Sequence, residues 1–277
     1  MRVAFGSGAV SMIVERADTL ARRGMRGQAE ILGTYIGNSA FHGTRIEVNH
    51  VGSEMARFVR SVEARHDLSP QDTTPSLVFM SHETFTPARG GSADAEVDAL
   101  RRTYPDHYRG VTITNTKGFT GHTLGAAIED AVLVKALQKG VAPPIANLTR
   151  VPENFADLNF SRCTPADFQY GLHFAAGFGS HFAFLFLRRI EEADTETNPV
   201  YLQWLEEISG NRDPELRRIN NTLCVVADEK KKEVSPSPTI TVVPAEAPGR
   251  ANPTRLRQGY AGHARHFMLS QDERLGL

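Results

Sequence analysis

Apolar positions along the chain fall alternately into short strand-like runs and helix-like stripes, and this alternation predicts a layered α/β domain. Residues 10–14 form an apolar run read as a strand, and residues 15–23 a helical stretch that stops at Gly24. Residues 29–36 read as a strand ending in the turn signal Gly37-Asn38-Ser39. Met55, Phe58, Val59 and Val62 recur at spacings of three and four, which predicts an amphipathic helix over residues 54–65. Residues 77–80 are a continuous apolar run bounded by Pro75 and by polar residues, the pattern of a buried strand. Helical spacing returns over residues 93–104 and strand spacing over 111–114. Residues 124–138 carry the strongest helical signal: Leu124, Ala127, Ile128, Ala131 and Val132 make one stripe, and further apolar side chains predict a central, largely buried helix. Gly140 supplies its stop, and Pro143-Pro144 forbid its continuation. Two last strands, 170–176 and 182–187, flank Gly177-Phe178-Gly179, so the layered domain is expected to end near Arg189.

Beyond that point the pattern fades. Residues 199–209 are compatible with one short helix around Trp204. From Glu229 onward there is a Lys230-Lys231-Lys232 run, then five prolines between Pro236 and Pro253 with little apolar periodicity, which reads as a linker with a solvated charge run. Residues 260–277 are polar and carry little information.

Composition narrows the function classes. The 277 residues balance 31 Lys+Arg against 32 Asp+Glu, which removes the bulk-electrostatic case for a nucleic acid or an anionic membrane as partner. No apolar run reaches the roughly 18 residues that span a bilayer, and the opening Met1-Arg2-Val3-Ala4-Phe5-Gly6 is too short an apolar stretch for a signal peptide. Cys163 and Cys224 alone cannot build a disulfide framework and do not have metal-ligand spacing, so a reducing cytoplasm and no metal are expected.

Three polar stretches follow or interrupt strands, where open α/β folds place ligands. They are residues 81–87 with His82, residues 115–122 with Lys117 and His122, and the glycine turn at 175–180. Two strand-end histidines, a lysine five residues before one of them, and a turn free to aim backbone N–H groups suggest a site that polarises a carbonyl or carboxylate oxygen. Spacing alone does not identify the reaction.

The motifs do resemble a known family. Lys117-Gly118-Phe119-Thr120-Gly121-His122-Thr123-Leu124-Gly125-Ala126-Ala127 is similar to the Lys-x-x-x-Gly-His-x-x-Gly-Ala-Ala segment of β-ketoacyl-acyl carrier protein synthases. His82-Glu83-Thr84-Phe85-Thr86-Pro87 resembles their His-Gly-Thr-x-Thr-Pro loop, residues 141–148 their Pro-Pro-x-x-Asn-Leu stretch, and Gly177-Phe178-Gly179 their Gly-Phe-Gly turn. The match covers about 190 residues in order, and its variants look most like the ketosynthases of modular polyketide and polyunsaturated-fatty-acid synthases.

The resemblance implies a thiolase-like layered α/β fold of which this chain holds the C-terminal half, followed by a poorly structured tail. The expected boundaries are a remnant of the N-terminal half over 1–25, the C-terminal half over 26–190 and a tail over 191–277. The implied reaction is decarboxylative Claisen condensation of acyl and malonyl thioesters in polyketide or fatty acid biosynthesis. His82 and His122 would hydrogen-bond the malonyl thioester oxygen, Lys117 would order the site, and the Phe178 N–H would serve as an oxyanion donor. Thr84, Thr86, Gly177 and Gly179 would form the substrate loops. No cofactor is implied, since the substrate is itself a phosphopantetheine thioester on an acyl carrier protein, the expected partner together with an N-terminal half or a second copy. Three departures stand out. The family's nucleophilic cysteine belongs to its N-terminal half, and neither Cys163 nor Cys224 sits in a nucleophile elbow. Glu83 replaces a glycine. Glu129 lies near, but not at, the family's helix glutamate and receives no role. Two readings follow: a ketosynthase portion completed by another chain, or an inactive remnant that serves as a carrier-docking or scaffold piece.

Overall fold

A computed structural model describes residues 8–43, 46–83, 92–121, 125–146, 148–191, 197–212, 214–219 and 222–226. The chain divides into two units, residues 1–195 and 196–277. The first contains α1 (Ala17–Arg22), β1 (Ala29–Asn38), α2 (Val48–His66), α3 (Pro70–Thr73), β2 (Leu77–Met80), α4 (Ser92–Thr103), β3 (Thr112–Thr114), α5 (Lys117–Thr120), α6 (Ala126–Lys139), β4 (Asn159–Phe160), β5 (Tyr170–Gly177) and β6 (His181–Arg189). The six strands form one mixed sheet in the order β1-β6-β5-β2-β3-β4. β1, β6 and β5 pair antiparallel, while β5, β2, β3 and β4 run parallel.

β2 explains the layering. All four of its residues are buried, and their alternation sends Leu77 and Phe79 to one face, Val78 and Met80 to the other. The first face is covered by α2 and α4, through Val51, Met55, Phe58, Val59 and Val62 of α2 and Val97 and Leu100 of α4. Phe174, Phe184 and Tyr35 add a run of ring contacts there, Tyr35 stacking on Phe184 at 5.7 Å. The second face is covered by α6 through Leu133, Ala136 and Leu137. Helix and strand approach closely: a Cβ on Gly171 of β5 would come within 2.9 Å of Leu133. Gly140 ends α6 with φ of 62°, where a side chain would also meet the Ala166 carbonyl at 2.7 Å.

Several expectations need correction. Residues 10–14 are not a strand: they are irregular and exposed, with Ile13 85% exposed, because among the described residues they pair with no strand edge. α6 is buried along one face only, through Glu129, Leu133, Ala136 and Leu137, while Ala127 is exposed and Ile128, Ala131 and Val132 are half-buried. Leu124 lies outside the described residues. The edge strand β4 is a two-residue element too short to leave a periodic trace. In the second unit, α7 (Pro199–Ser209) is followed by an antiparallel hairpin of β7 (Glu215–Ile219) and β8 (Thr222–Val226), so regular structure reaches further into the tail than the sequence pattern predicts. Among the described residues, no helix is long and apolar enough to cross a membrane.

Candidate active site

β2, β3 and β5 are parallel neighbours, so their C-terminal ends open on the same edge of the sheet. The residues that follow them are Ser81–Glu83, Asn115–Lys117 and the turn at 177–180. Asn115, buried after β3, joins the first two. Its amide nitrogen donates to the carbonyls of Ser81 and Glu83, each at 2.9 Å, and its side-chain oxygen accepts from the Lys117 N–H at 2.9 Å. One side chain thus fixes the backbone on both sides of His82 and the first residue of α5. Glu83, the departure from glycine, also has a structural task. Its carboxylate accepts from the Ala93 N–H at 2.7 Å and the Ser92 hydroxyl at 2.9 Å, closing the N-terminus of α4 with a negative charge.

Beneath α5 lies a buried charged network. Lys117 Nζ is 2.5 Å from Glu129 Oε1 on α6, with the two side chains 4% and 2% exposed. Glu129 Oε2 faces His173 Nε2 at 3.2 Å, and His173 Nδ1 meets Asp130 Oδ1 at 2.6 Å. Burial by itself would raise the Glu129 carboxyl, but the hydrogen bonds and charges of His173 and Lys117 outweigh it and hold Glu129 below its ordinary range. Burial likewise opposes charge on His173, and the two carboxylates overcome it, raising the imidazole above its ordinary value. With His173 protonated, two cations balance two carboxylates, and both ring nitrogens donate. Gly118 then locks α5 sideways: a Cβ there would come within 2.5 Å of Ala146. Thr114 Oγ1 donates to the Pro143 carbonyl at 2.5 Å, tying the Pro143-Pro144 segment to β3.

The predicted site residues are placed as follows. His82 is half-buried, with its ring edge-on to Phe174 at 6.0 Å. Lys117 is buried and engaged by Glu129, so it acts on its surroundings through position rather than by reaching a ligand. Gly177 ends β5, and Phe178 is 73% exposed in the turn that follows. Gly179 has φ of 83° and donates its N–H to the Gly43 carbonyl at 2.9 Å, while the Ser180 hydroxyl donates to the His42 carbonyl at 2.6 Å. His122, Thr84 and Thr86 lie outside the described residues. Cys163 is exposed in the turn after β4, and Cys224 is on β8 of the second unit. Among the described residues, no group of three His, Cys, Asp or Glu side chains is arranged to hold a metal.

Sequence reasoning assigns no role to Asn115, Asp130 or His173, and it singles out Glu129 only to leave it without one. Two consecutive carboxylates inside the apolar run 126–137, and a histidine inside the apolar strand 170–176, were the available signals. Polar side chains at such positions need partners.

Residues 28–149 match a family model described as the C-terminal domain of beta-ketoacyl synthases. The 3-oxoacyl-[acyl-carrier-protein] synthase 2 of Coxiella burnetii is 31% identical over 159 residues, covering 56% of this chain and 36% of that protein. A Streptomyces coelicolor protein named for beta-ketoacyl synthesis of the actinorhodin polyketide is 32% identical over 189 residues, covering 67% of this chain and 39% of that protein. The chain therefore spans less than half the length of these relatives. A solved type II polyketide synthase ketosynthase, in complex with its acyl carrier protein and bound to a hexaketide, superposes with a TM-score of 0.54 at 24% identity. That superposition covers 64% of this chain and 42% of the ketosynthase, and it shows a thiolase-like fold.

Proposed function

Residues 28–149 belong to the C-terminal domain family of β-ketoacyl synthases, and from that premise we propose that the chain is the C-terminal portion of an acyltransferase that condenses acyl and malonyl thioesters. The observation that carries this reading is the Asn115 side chain, which binds the backbone on either side of His82 and the N–H of Lys117, the first residue of the segment leading to His122.

In the proposed reaction His82 and His122 donate to the thioester oxygen of a malonyl group on phosphopantetheine. Carbon dioxide leaves, and the electron pair of the broken C–C bond becomes an enolate whose oxygen the two donors stabilise. The enolate carbon attacks an acyl thioester held on a cysteine, and the thiolate departs. That cysteine would come from an N-terminal ketosynthase half. The Phe178 N–H would receive the acyl oxyanion, and Thr84, Thr86, Gly177 and Gly179 would shape the channel. Lys117 and Glu129 hold α5 and so position the histidine segment. An acyl carrier protein is the proposed partner, in keeping with the name of the Coxiella relative and the carrier complex of the structural neighbour.

The test is release of labelled carbon dioxide from a malonyl carrier, with and without a co-expressed N-terminal half bearing its elbow cysteine. Decarboxylation by the chain and condensation only with the added half are expected. His82→Ala or His122→Ala should lower decarboxylation by about 10²-fold or more, and Lys117→Ala should weaken it. Activity that survives both histidine substitutions overturns the site assignment. No activity from a cooperatively folded chain, with or without the added half, favours the inert carrier-docking reading.

A further inference from the structure

The connection between α6 and β4 lies over a space that its apolar side chains do not fill. Ile145, Leu148, Pro152 and Phe155, together with Phe160 of β4, line a pocket of about 180 Å³ on the α2–α4 face of the sheet. Pro152 is exposed and the other four are half-buried, so this wall adjoins the surface. The opposite wall is solid core, with Phe79 of β2, Leu100 of α4 and Ile113 of β3 all buried. Apolar side chains that face a void or loosely held water forgo the contacts that close packing gives. A connection free to move would settle onto that core and close the space.

Polar ties prevent it. At the start of the connection, Thr114 Oγ1 donates to the Pro143 carbonyl at 2.5 Å. In its middle, Arg101 of α4 donates to the Asn154 carbonyl and to Asp157, each at 2.9 Å, and the Tyr108 hydroxyl donates to Asp157 at 2.5 Å. At its end, the Ser161 N–H donates to the Ile113 carbonyl and the Ser161 hydroxyl to the Ala142 carbonyl, both at 2.8 Å. The wall is thus held to α4 and β3 along its length, and collapse onto the core would cost these bonds. The pocket is built into the way the connection is attached.

Its lining is almost wholly apolar. Ser81, Glu83 and Asn115 border it, but Asn115 binds the two loop backbones, the Ser81 hydroxyl accepts from the Glu83 N–H at 3.1 Å, and the Glu83 carboxylate closes the start of α4. Glu96 is also at the border, and its Oε1 is sealed away from any entering molecule. We propose that this pocket is a binding site for a small uncharged hydrocarbon group, the size of a single ring. A cavity of about 150 Å³ lined by Leu, Ile and Phe accepts benzene, and the same residue types enclose a slightly larger space here. The ligand would cover the half-buried side chains of the outer wall and displace water that has no polar partner there. A hydroxyl or charged head would enter without a partner, which disfavours it. The site stands apart from the condensation reading, since neither His82, Lys117 nor Phe178 lines it.

A methyl-resolved NMR titration of the full chain with toluene and with benzyl alcohol tests this. Toluene should give saturable shifts and ligand cross-peaks at the methyls of Ile113, Ile145 and Leu148, and none at Leu133 and Leu137 on the other face of the sheet. Benzyl alcohol has nearly the same shape, and should bind at least about tenfold more weakly because its hydroxyl is buried unpaired. Ala93→Leu grows a side chain into the space from α4 and leaves the Ala93 N–H on Glu83, so it should abolish toluene binding. Toluene binding that survives this substitution places the ligand elsewhere and overturns the proposal. So does any of three results in the unmodified chain: no saturable shift up to the solubility limit of toluene, contacts at other methyls only, or equal affinity for the alcohol.

Discussion

His173 shows how one side chain sets the terms for its neighbours. Without its charge, Glu129 and Asp130 would be adjacent carboxylates sharing a single cation, Lys117, in a water-poor layer between helix and sheet. The folded state raises the His173 pKa above 6.5. Its contribution to stability is therefore complete below about pH 6.5 and declines as pH rises through the folded value. Glu129 is shifted the other way, below 4.5, so its contribution is present above that value and is lost as pH falls through its lower folded one. Stability from this network should be greatest between the two. Urea unfolding across this range should show a decline on the alkaline side that His173→Gln removes, since glutamine does not titrate. A variant with the same alkaline slope as the parent would show that His173 is neutral in the network. The motifs single out Lys117 and His82 as candidates, but they do not point to this pairing. Glu129 and His173 are 44 residues apart, and only the crossing of α6 over β5 brings them together.

Helix α6 shows where periodicity misleads. The stripe Leu124, Ala127, Ile128, Ala131 and Val132 is regular, but the side that meets the sheet is Glu129, Leu133, Ala136 and Leu137. A helix apolar on two sides gives the pattern no means of choosing between them. β2, buried on both faces, coincides with its apolar run, while β5 and β6, buried less completely, each extend theirs by one to three residues. The exposed run at 10–14 shows the converse, since apolar composition does not make a strand without a partner to complete its hydrogen bonds. The two sides of α6 should respond differently to truncation. Leu133→Ala should cost about 2–5 kcal/mol and Val132→Ala less than about 1.5 kcal/mol, measured by urea denaturation of the chain. Gly171→Ala should also destabilise, by about 1–3 kcal/mol, because its new methyl presses on Leu133. Equal costs at positions 132 and 133 would mean that both sides of α6 are packed.

Across the whole first unit, the mixed sheet separates two tasks. Its antiparallel strands β1 and β6 carry much of the aromatic core, while the parallel strands bring their ends to one edge, where the candidate site lies. That edge is held by Asn115, and a single side chain shared by two loops has a consequence for how they move. Neither loop can leave its folded position without breaking bonds that secure the other, so the two should open in one cooperative event with a common free energy. In native-state hydrogen exchange, the amides of Glu83 and Lys117, each held on a side chain in this cluster, should exchange at matching rates and share one denaturant dependence. Asn115→Ala should uncouple them and leave each loop to fluctuate on its own.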